Sequence, residues 1–296
     1  MKVWLSAFRL RTLPLSLSCI GMAAFLAAAA GKFNGLVFAL CCVTTIFLQI
    51  LSNLANDYGD SVNGADHAGR KGPSRAVQSG VISSLQMRNA VVLFSVLCLL
   101  SGIGLLLIAF GLDWNALLFF LILGLLCIVA AIAYTVGRKP YGYAGLGDLS
   151  VLIFFGLVGV MGSLYLFTRR FDYLDVLPAL SCGFFSIAVL NVNNVRDIES
   201  DRAAGKFSIP VRIGREKAIV YHWFLLVAGT TAAIAYTILR YQSPWQFLFV
   251  PVIALFVRNG LAVTRLPSEK LDPYLKQMAM STLLFVLTFG IGLLLS

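Results

Sequence analysis

Apolar runs of about 20 residues, the length a helix needs to cross a bilayer, recur along the chain at roughly 12–31, 35–53, 89–111, 115–136, 148–167, 176–195, 218–238, 245–263 and 276–295. They predict an all-α polytopic membrane protein, nine transmembrane helices forming a single domain over 1–296. Two of the runs end unusually. The second passes into "LSNLANDYGDSVNGAD" and the sixth into "NVNNVRDIESDRAAGK". The apolar parts before these exits are short, 16 residues from Leu36 to Leu51 and 14 from Leu177 to Leu190. Each polar exit, continued as helix, therefore begins inside one leaflet of the membrane. Residues three, four, seven or eight apart share one helix face, so Asn53, Asp57 and Asp60 form one polar stripe and Asn193, Asp197 and Asp201 another. The shared Asn-x-x-x-Asp, four spans apart, raises the possibility of a four-helix unit used twice with a ninth helix added.

Composition agrees with this reading and orients it. Hydrophobic residues make up 59% of the chain and charged residues 12%, too apolar a balance for a soluble domain of this length. With the N-terminus in the cytoplasm, 19 of the 23 Lys and Arg residues fall on the cytoplasmic side, and only Lys32, Arg169, Arg170 and Arg240 fall outside. That asymmetry is the positive-inside pattern. The net charge of +10 is thus a topology signal and an attraction for anionic lipid or substrate, and it does not point to nucleic acid. The N-terminal run resembles a signal peptide at "AAFLAAAAG", but the eight spans that follow favour a retained first helix. The six cysteines lie inside apolar runs without metal-ligand spacing, and His67 and His222 are isolated, so no zinc site is expected.

An Asp at the centre of a membrane helix costs on the order of 2.5–3.5 kcal/mol even on the lenient insertion scale. Six of the 13 acidic residues (Asp57, Asp60, Asp66, Asp197, Glu199 and Asp201) sit in the two exits. They are either solvated helix ends or the lining of a wet cavity that holds cations. Mg²⁺ suits the second case, because it takes one or two carboxylates together with waters and substrate phosphate oxygens. Arg70, Lys71 and Arg75 follow the first stripe, Arg202 and Lys206 the second, and Arg138 and Lys139 lie in the loop between. Each is either a topology determinant or a phosphate ligand. A diphosphate with an apolar remainder, held at a membrane entrance, describes a polyprenyl diphosphate.

The two Asp-rich exits, the nine spans and the loop "YTVGRKPYGYAGLGDLSV" resemble the UbiA-type intramembrane prenyltransferases over the whole chain. The blocks "AFRLRTLPLSL", "LQILSNLANDYGDSVNGAD", "GPSRAVQSG" and "AVLNVNNVRDIESDRAAGK" resemble the branch of that family that prenylates 1,4-dihydroxy-2-naphthoate in menaquinone biosynthesis. The resemblance implies nine helices around a central cavity open laterally to lipid, with cytoplasmic loops as a cap. It implies Mg²⁺ and diphosphate held by Asp57, Asp60, Asp197 and Asp201, with Asn53 and Asn193 beside them. It also implies that Tyr134 faces the reacting allyl group, that Arg138 and Lys139 grip diphosphate, and that Arg75 and Lys206 contribute further cations. Asp148 is expected either to cap the fifth span or to orient the aromatic acceptor. The implied localisation is the cytoplasmic (inner) membrane, with the active site on the cytoplasmic side. Chain length and oligomeric state are not implied.

The chain departs from the family pattern in two places. Gly64 stands where the first motif usually has its third Asp, and the acid comes at Asp66. In "KFSIP", Pro210 removes a backbone donor from the cap after the second motif. Two other readings remain: a related enzyme prenylating 4-hydroxybenzoate, or a cation-coupled transporter, which would place its carboxylates near mid-membrane between broken helices.

Overall fold

The computed structural model describes residues 2–63 and 76–296; Asp66, Arg70, Lys71 and Arg75 lie outside the described residues. Among those described, nine helices are long and apolar enough to span a membrane. A short helix α1 (Lys2–Ala7) leads through a 3₁₀ turn into α2 (Leu13–Ala29), followed by α3 (Gly35–Val62), α4 (Ser84–Phe110) and α5 (Trp114–Ala133). The fifth span, α6 (Gly147–Thr168), is π-helical over Leu152–Gly162. Then come α7 (Val176–Arg196), the short α8 (Ile198–Ala203), α9 (Ile209–Leu239), α10 (Ile253–Arg265) and α11 (Asp272–Leu294).

Local chemistry sets most of the boundaries. The Asn34 side chain caps α3 by accepting from the amides of Leu36 and Val37, Ser83 and Gln86 close a capping box on α4, and Asp113 caps α5. Gly31, in the left-handed region at φ 65°, ends α2. The apolar runs understate two helices. α3 continues through the whole first stripe to Val62, and the seventh span begins at Ile209, not near 218, with a kink at Gly214 (φ 80°). Pro210 falls in the first turn of α9, where its missing N–H would have had no intrahelical partner. The local shape of that cap is therefore an ordinary helix start.

The larger core joins α2, α6, α7, α9, α10 and α11 around Phe185, Phe249, Phe256, Phe285 and Phe289, with Phe185 and Phe256 stacked at 4.2 Å between centroids. A second core joins α1, α3 and α4 around Leu51, Leu54 and Met87. Close approach depends on small residues, as is general between membrane helices: a Cβ on Gly290 of α11 would lie 2.0 Å from the Phe25 ring of α2. His222 is buried between Asn191 and Asn259, one on each ring nitrogen, so its place is in helix packing. By contrast α5 has no buried residue; one side is exposed and the other borders a cavity.

Candidate active site

That cavity, of about 430 Å³, is bordered by α2, α3, α4, α5, α6 and α7, with Leu275 of α11. At one end its wall is polar, with Arg9, Thr12, Asn53, Asn56, Asp60, Tyr134, Asn193, Asn194 and Lys206. Toward the other end it is apolar, with Leu105, Leu106, Phe120, Leu121, Val158 and Leu166. A pocket that is mostly apolar with a few convergent polar groups is the usual form of a ligand site.

The first stripe forms as the spacing predicts. Asn53, Asp57 and Asp60 lie on one continuous helix and all three are buried. The Asn53 amide donates to Phe8 O at 2.9 Å and contacts Thr12 Oγ1 at 3.2 Å, tying the motif to the turn that carries Arg9. Arg9 itself is left-handed (φ 48°), a conformation unfavourable for a residue with a Cβ and characteristic of functional sites. Asp57 accepts from the Ala76 amide at 3.3 Å. Asp60 accepts from Tyr143 Oη at 2.6 Å. Gly59 makes this end of α3 possible, since a Cβ there would lie 2.5 Å from Thr135 O, at the end of α5.

The second stripe is interrupted. α7 ends at Arg196, Asp197 is the junction residue (φ −100°, ψ 12°), and Asp201 lies on α8. Backbone bonds still run from Asp197 N to Asn193 O (3.1 Å) and from Asp201 N to Asp197 O (2.8 Å), so the groups stay on one side. Asp197 and Asp201 are both buried. Burial raises the Asp201 carboxyl above the ordinary carboxylate range; Lys206 pulls it down, and Asp197 and Asp60 push it up again. The two stripes thus face each other closely enough for Asp60 and Asp201 to interact. Lys206 Nζ lies 3.5 Å from Asp201 Oδ2 and borders the cavity.

Not every expected residue arrives. Arg138 and Lys139 are exposed and do not border the cavity; of the four expected carboxylates Asp60 borders it, and Asp57, Asp197 and Asp201 are buried behind its wall. Continued helix from Tyr134 would have brought Arg138 one turn on, but α5 ends at Ala133 and Gly137 (φ 118°) turns the chain away. Lys206 supplies the cation beside Tyr134 instead. Asp148 neither caps its helix nor borders the cavity. It is buried and accepts from Tyr221 Oη of α9 at 2.8 Å, which ties the fifth span to the seventh. Tyr134 does arrive: its ring borders the cavity, and a Cβ on Gly147 would lie 3.0 Å from its hydroxyl. Burial pushes that phenol up to about 12, with Lys206 opposing and Asp148, Asp60 and Asp201 reinforcing.

Arg196, Tyr143 and Arg9 are functional candidates that the sequence did not single out. The Tyr143 carbonyl also accepts from the Phe207 amide at 2.9 Å, and Arg212 donates to Ala144 O at 3.0 Å, so the loop after α5 docks on the segment after the second motif. Arg196 is buried and donates to both Asp197 oxygens, to Asn193 Oδ1 and to Asp272 Oδ1. The donor set at the polar end is all hard oxygen, which favours Mg²⁺ over zinc. Among the described residues no three His, Cys, Asp or Glu side chains gather around one point. A cation here would draw ligands from one or two carboxylates and from a bound phosphate, the arrangement Mg²⁺ prefers.

Comparison with known proteins agrees with the geometry. The chain is 46% identical over 298 residues to the 1,4-dihydroxy-2-naphthoate octaprenyltransferase of Haemophilus influenzae, covering 99% of this chain and 96% of that one. It is 43% identical to the enzyme of the same name from Escherichia coli, covering 100% and 96%. Among solved structures, a UbiA homolog from Archaeoglobus fulgidus bound to DMAPP and Mg²⁺ superposes with a TM-score of 0.65 at 18% identity, over 96% of this chain and 98% of that one, which establishes the shared fold. Among the described residues nine helices can span a membrane, and residues 16–294 match the sequence profile of the UbiA prenyltransferase family, so the chain belongs to that family.

Proposed function

We propose that the protein transfers a polyprenyl group from a polyprenyl diphosphate to 1,4-dihydroxy-2-naphthoate with loss of CO₂, giving a demethylmenaquinol and diphosphate in menaquinone biosynthesis. The observation that carries this is the polarity of the cavity. Asp60, Lys206, Asn53 and Asn193 border one end of a pocket whose remainder is mostly apolar and lined by membrane helices, and Asp57, Asp197 and Asp201 are buried beside them without bordering it, matching a donor with a charged head and a hydrocarbon tail. The names of the relatives supply the acceptor. The whole chain acts as one transmembrane domain in the cytoplasmic (inner) membrane, with the polar end of the cavity on the cytoplasmic side, as the 19-to-4 distribution of basic residues supports.

Asp57, Asp60, Asp197 and Asp201 would hold Mg²⁺, with Asn53 and Asn193 beside them, and that ion when bound would supply positive charge to the departing diphosphate. Lys206 pairs with diphosphate oxygens at the same end. Tyr134 stays protonated and neutral, and presents its ring toward the developing allylic cation. The apolar wall keeps water from that cation. The acceptor ring attacks C1 of the prenyl group through its carboxylate-bearing carbon. The C–O bond to diphosphate breaks, and CO₂ then leaves with its bonding pair returning to the ring. Of the remaining expected ligands, Arg75 stays a proposal from sequence, and Arg138, Lys139 and Asp148 are placed away from the cavity.

The test uses membranes containing the protein with Mg²⁺, a series of prenyl diphosphates and naphthoate labelled at its carboxyl carbon. Prenylated, decarboxylated product should form one to one with released label, and only when donor is present. A product that keeps its carboxylate, or prenylation of 4-hydroxybenzoate instead, would overturn the assignment.

A further inference from the structure

One side chain, Arg196, contacts both Asp197 and Asn193. The Arg196 fork meets Asp197 with Nε to Oδ1 at 2.8 Å and Nη2 to Oδ2 at 2.7 Å, and the same Nη2 reaches Asn193 Oδ1 at 2.9 Å. Its third nitrogen, Nη1, donates to Asp272 Oδ1 at 2.5 Å, and the other oxygen of Asp272 lies 3.3 Å from Arg11 Nη1. Only 3% of the Arg196 side chain is exposed, whereas Asp272 and Arg11 are about two-fifths exposed. The chain Arg11–Asp272–Arg196–Asp197 therefore runs inward from the surface, and its inner pair is desolvated.

Two physical points follow. A carboxylate offers about four lone-pair sites over its two oxygens. A bidentate guanidinium takes one on each oxygen, so it fixes the carboxylate plane while leaving acceptor capacity on the opposite side. Asp197 is also at the break between α7 and α8, where helical geometry no longer fixes its direction. Something other than the backbone must aim it, and the planar fork does this in a way a lysine could not. Asp272 opens α11, a rigid span packed on α2 and α7, so the fork has a fixed anchor on its far side.

We propose that Arg196, anchored by Asp272, is a positioning residue that aims Asp197 and Asn193 at the metal–diphosphate. This rests on the reading of Asp197 as a metal ligand. Groups that hydrogen-bond to metal-ligating carboxylates typically change metal affinity by about 10–100-fold when replaced, and the lost function is direction. Arg196→Lys keeps the charge and removes the fork, so it separates the two.

The experiment measures Mn²⁺ binding, by its paramagnetic signal in detergent-solubilised full-length protein with an unreactive prenyl thiolodiphosphate, beside the Mg²⁺ dependence of turnover. Arg196→Lys and Arg196→Gln should weaken Mn²⁺ by about 10–100-fold and shift the Mg²⁺ requirement equally, with turnover recovering at saturating metal in the lysine variant. Asp272→Asn should give a smaller shift in the same direction, which Asp272→Glu restores. A folding defect would lower the number of binding sites and leave the metal constant unchanged. Unaltered affinity in Arg196→Lys, while Asp197→Asn loses the metal, overturns the clamp alone. Unaltered affinity in Asp197→Asn overturns the ligand reading beneath it.

Discussion

Removing the Tyr143 hydroxyl isolates one contact of the first motif. The phenol donates to Asp60 Oδ1 at 2.6 Å, a short charge-assisted bond of the stronger class. Tyr143→Phe keeps the ring and deletes only the donor. A hydrogen bond to a charged group contributes roughly 1.5–3 kcal/mol, and at about 1.36 kcal/mol per tenfold in rate its loss should lower kcat/KM by roughly 10- to 150-fold. Water reaching Asp60 from the cavity would place the result nearer the lower limit. The assay is product formation in membranes across a range of Mg²⁺ concentrations, with thermal stability in detergent as the fold control. If the phenol orients Asp60 for the cation, the deficit narrows as Mg²⁺ rises. A loss smaller than about threefold at every Mg²⁺ concentration, in a protein as stable as the parent, would refute the link between Tyr143 and metal binding.

Asp57→Ala and Asp197→Ala should each abolish turnover while leaving a folded protein, judged by monodispersity and melting temperature; near-normal activity in either would remove it from the metal site. Exhaustive chelation should silence the enzyme, and added Mg²⁺ should restore it. Because burial raises the Tyr134 phenol to about 12, it stays neutral below that pH. Tyr134→Phe should therefore lower the rate without moving the alkaline limb of the pH–rate profile below about pH 10. Gly59→Ala should destabilise the protein and impair activity together, since its Cβ would meet Thr135 O at 2.5 Å, whereas Gly104→Ala, with nothing within 4 Å, should be neutral or slightly stabilising; equal melting temperatures for the two would contradict the close packing of α3 on α5.

The span count was legible because hydropathy over twenty residues depends on the membrane alone and not on tertiary contacts. The carboxylate stripes were legible because helical spacing fixes which residues share a face, and Asn53, Asp57 and Asp60 obey it on one unbroken helix. Arg138 and Lys139 were expected from the family resemblance, and neither borders the cavity because Gly137 turns the chain away. Arg196 was counted among the topology charges, since nothing local distinguishes a buried arginine from a cytoplasmic one. Its partner Asp272 lies 76 residues away. The Asp148 contact was hidden for the same reason: its partner, Tyr221, belongs to another span. Gly59 and Tyr143 matter only because two loop ends and two helix ends meet, which no single segment encodes.

The π-helical stretch of α6 has a bearing on how this family can change over time. Each turn there closes its hydrogen bonds one residue later than an α-helix would, so Leu152–Gly162 carries residues in excess of what α geometry needs for the same rise. In an ordinary span, gaining or losing one residue rotates everything beyond it by about 100° and scrambles the packing. In this span, the surplus can be released or enlarged by switching the bonding pattern. Gly147 against the Tyr134 hydroxyl, and Ser150 against Tyr141, keep their register while the outer half of the helix is re-phased. Single-residue insertions and deletions among relatives should therefore be tolerated here more readily than in the other spans. They would reshape the apolar end of the cavity, through Val158 and Leu166, without disturbing Asp60 and Lys206 at its head.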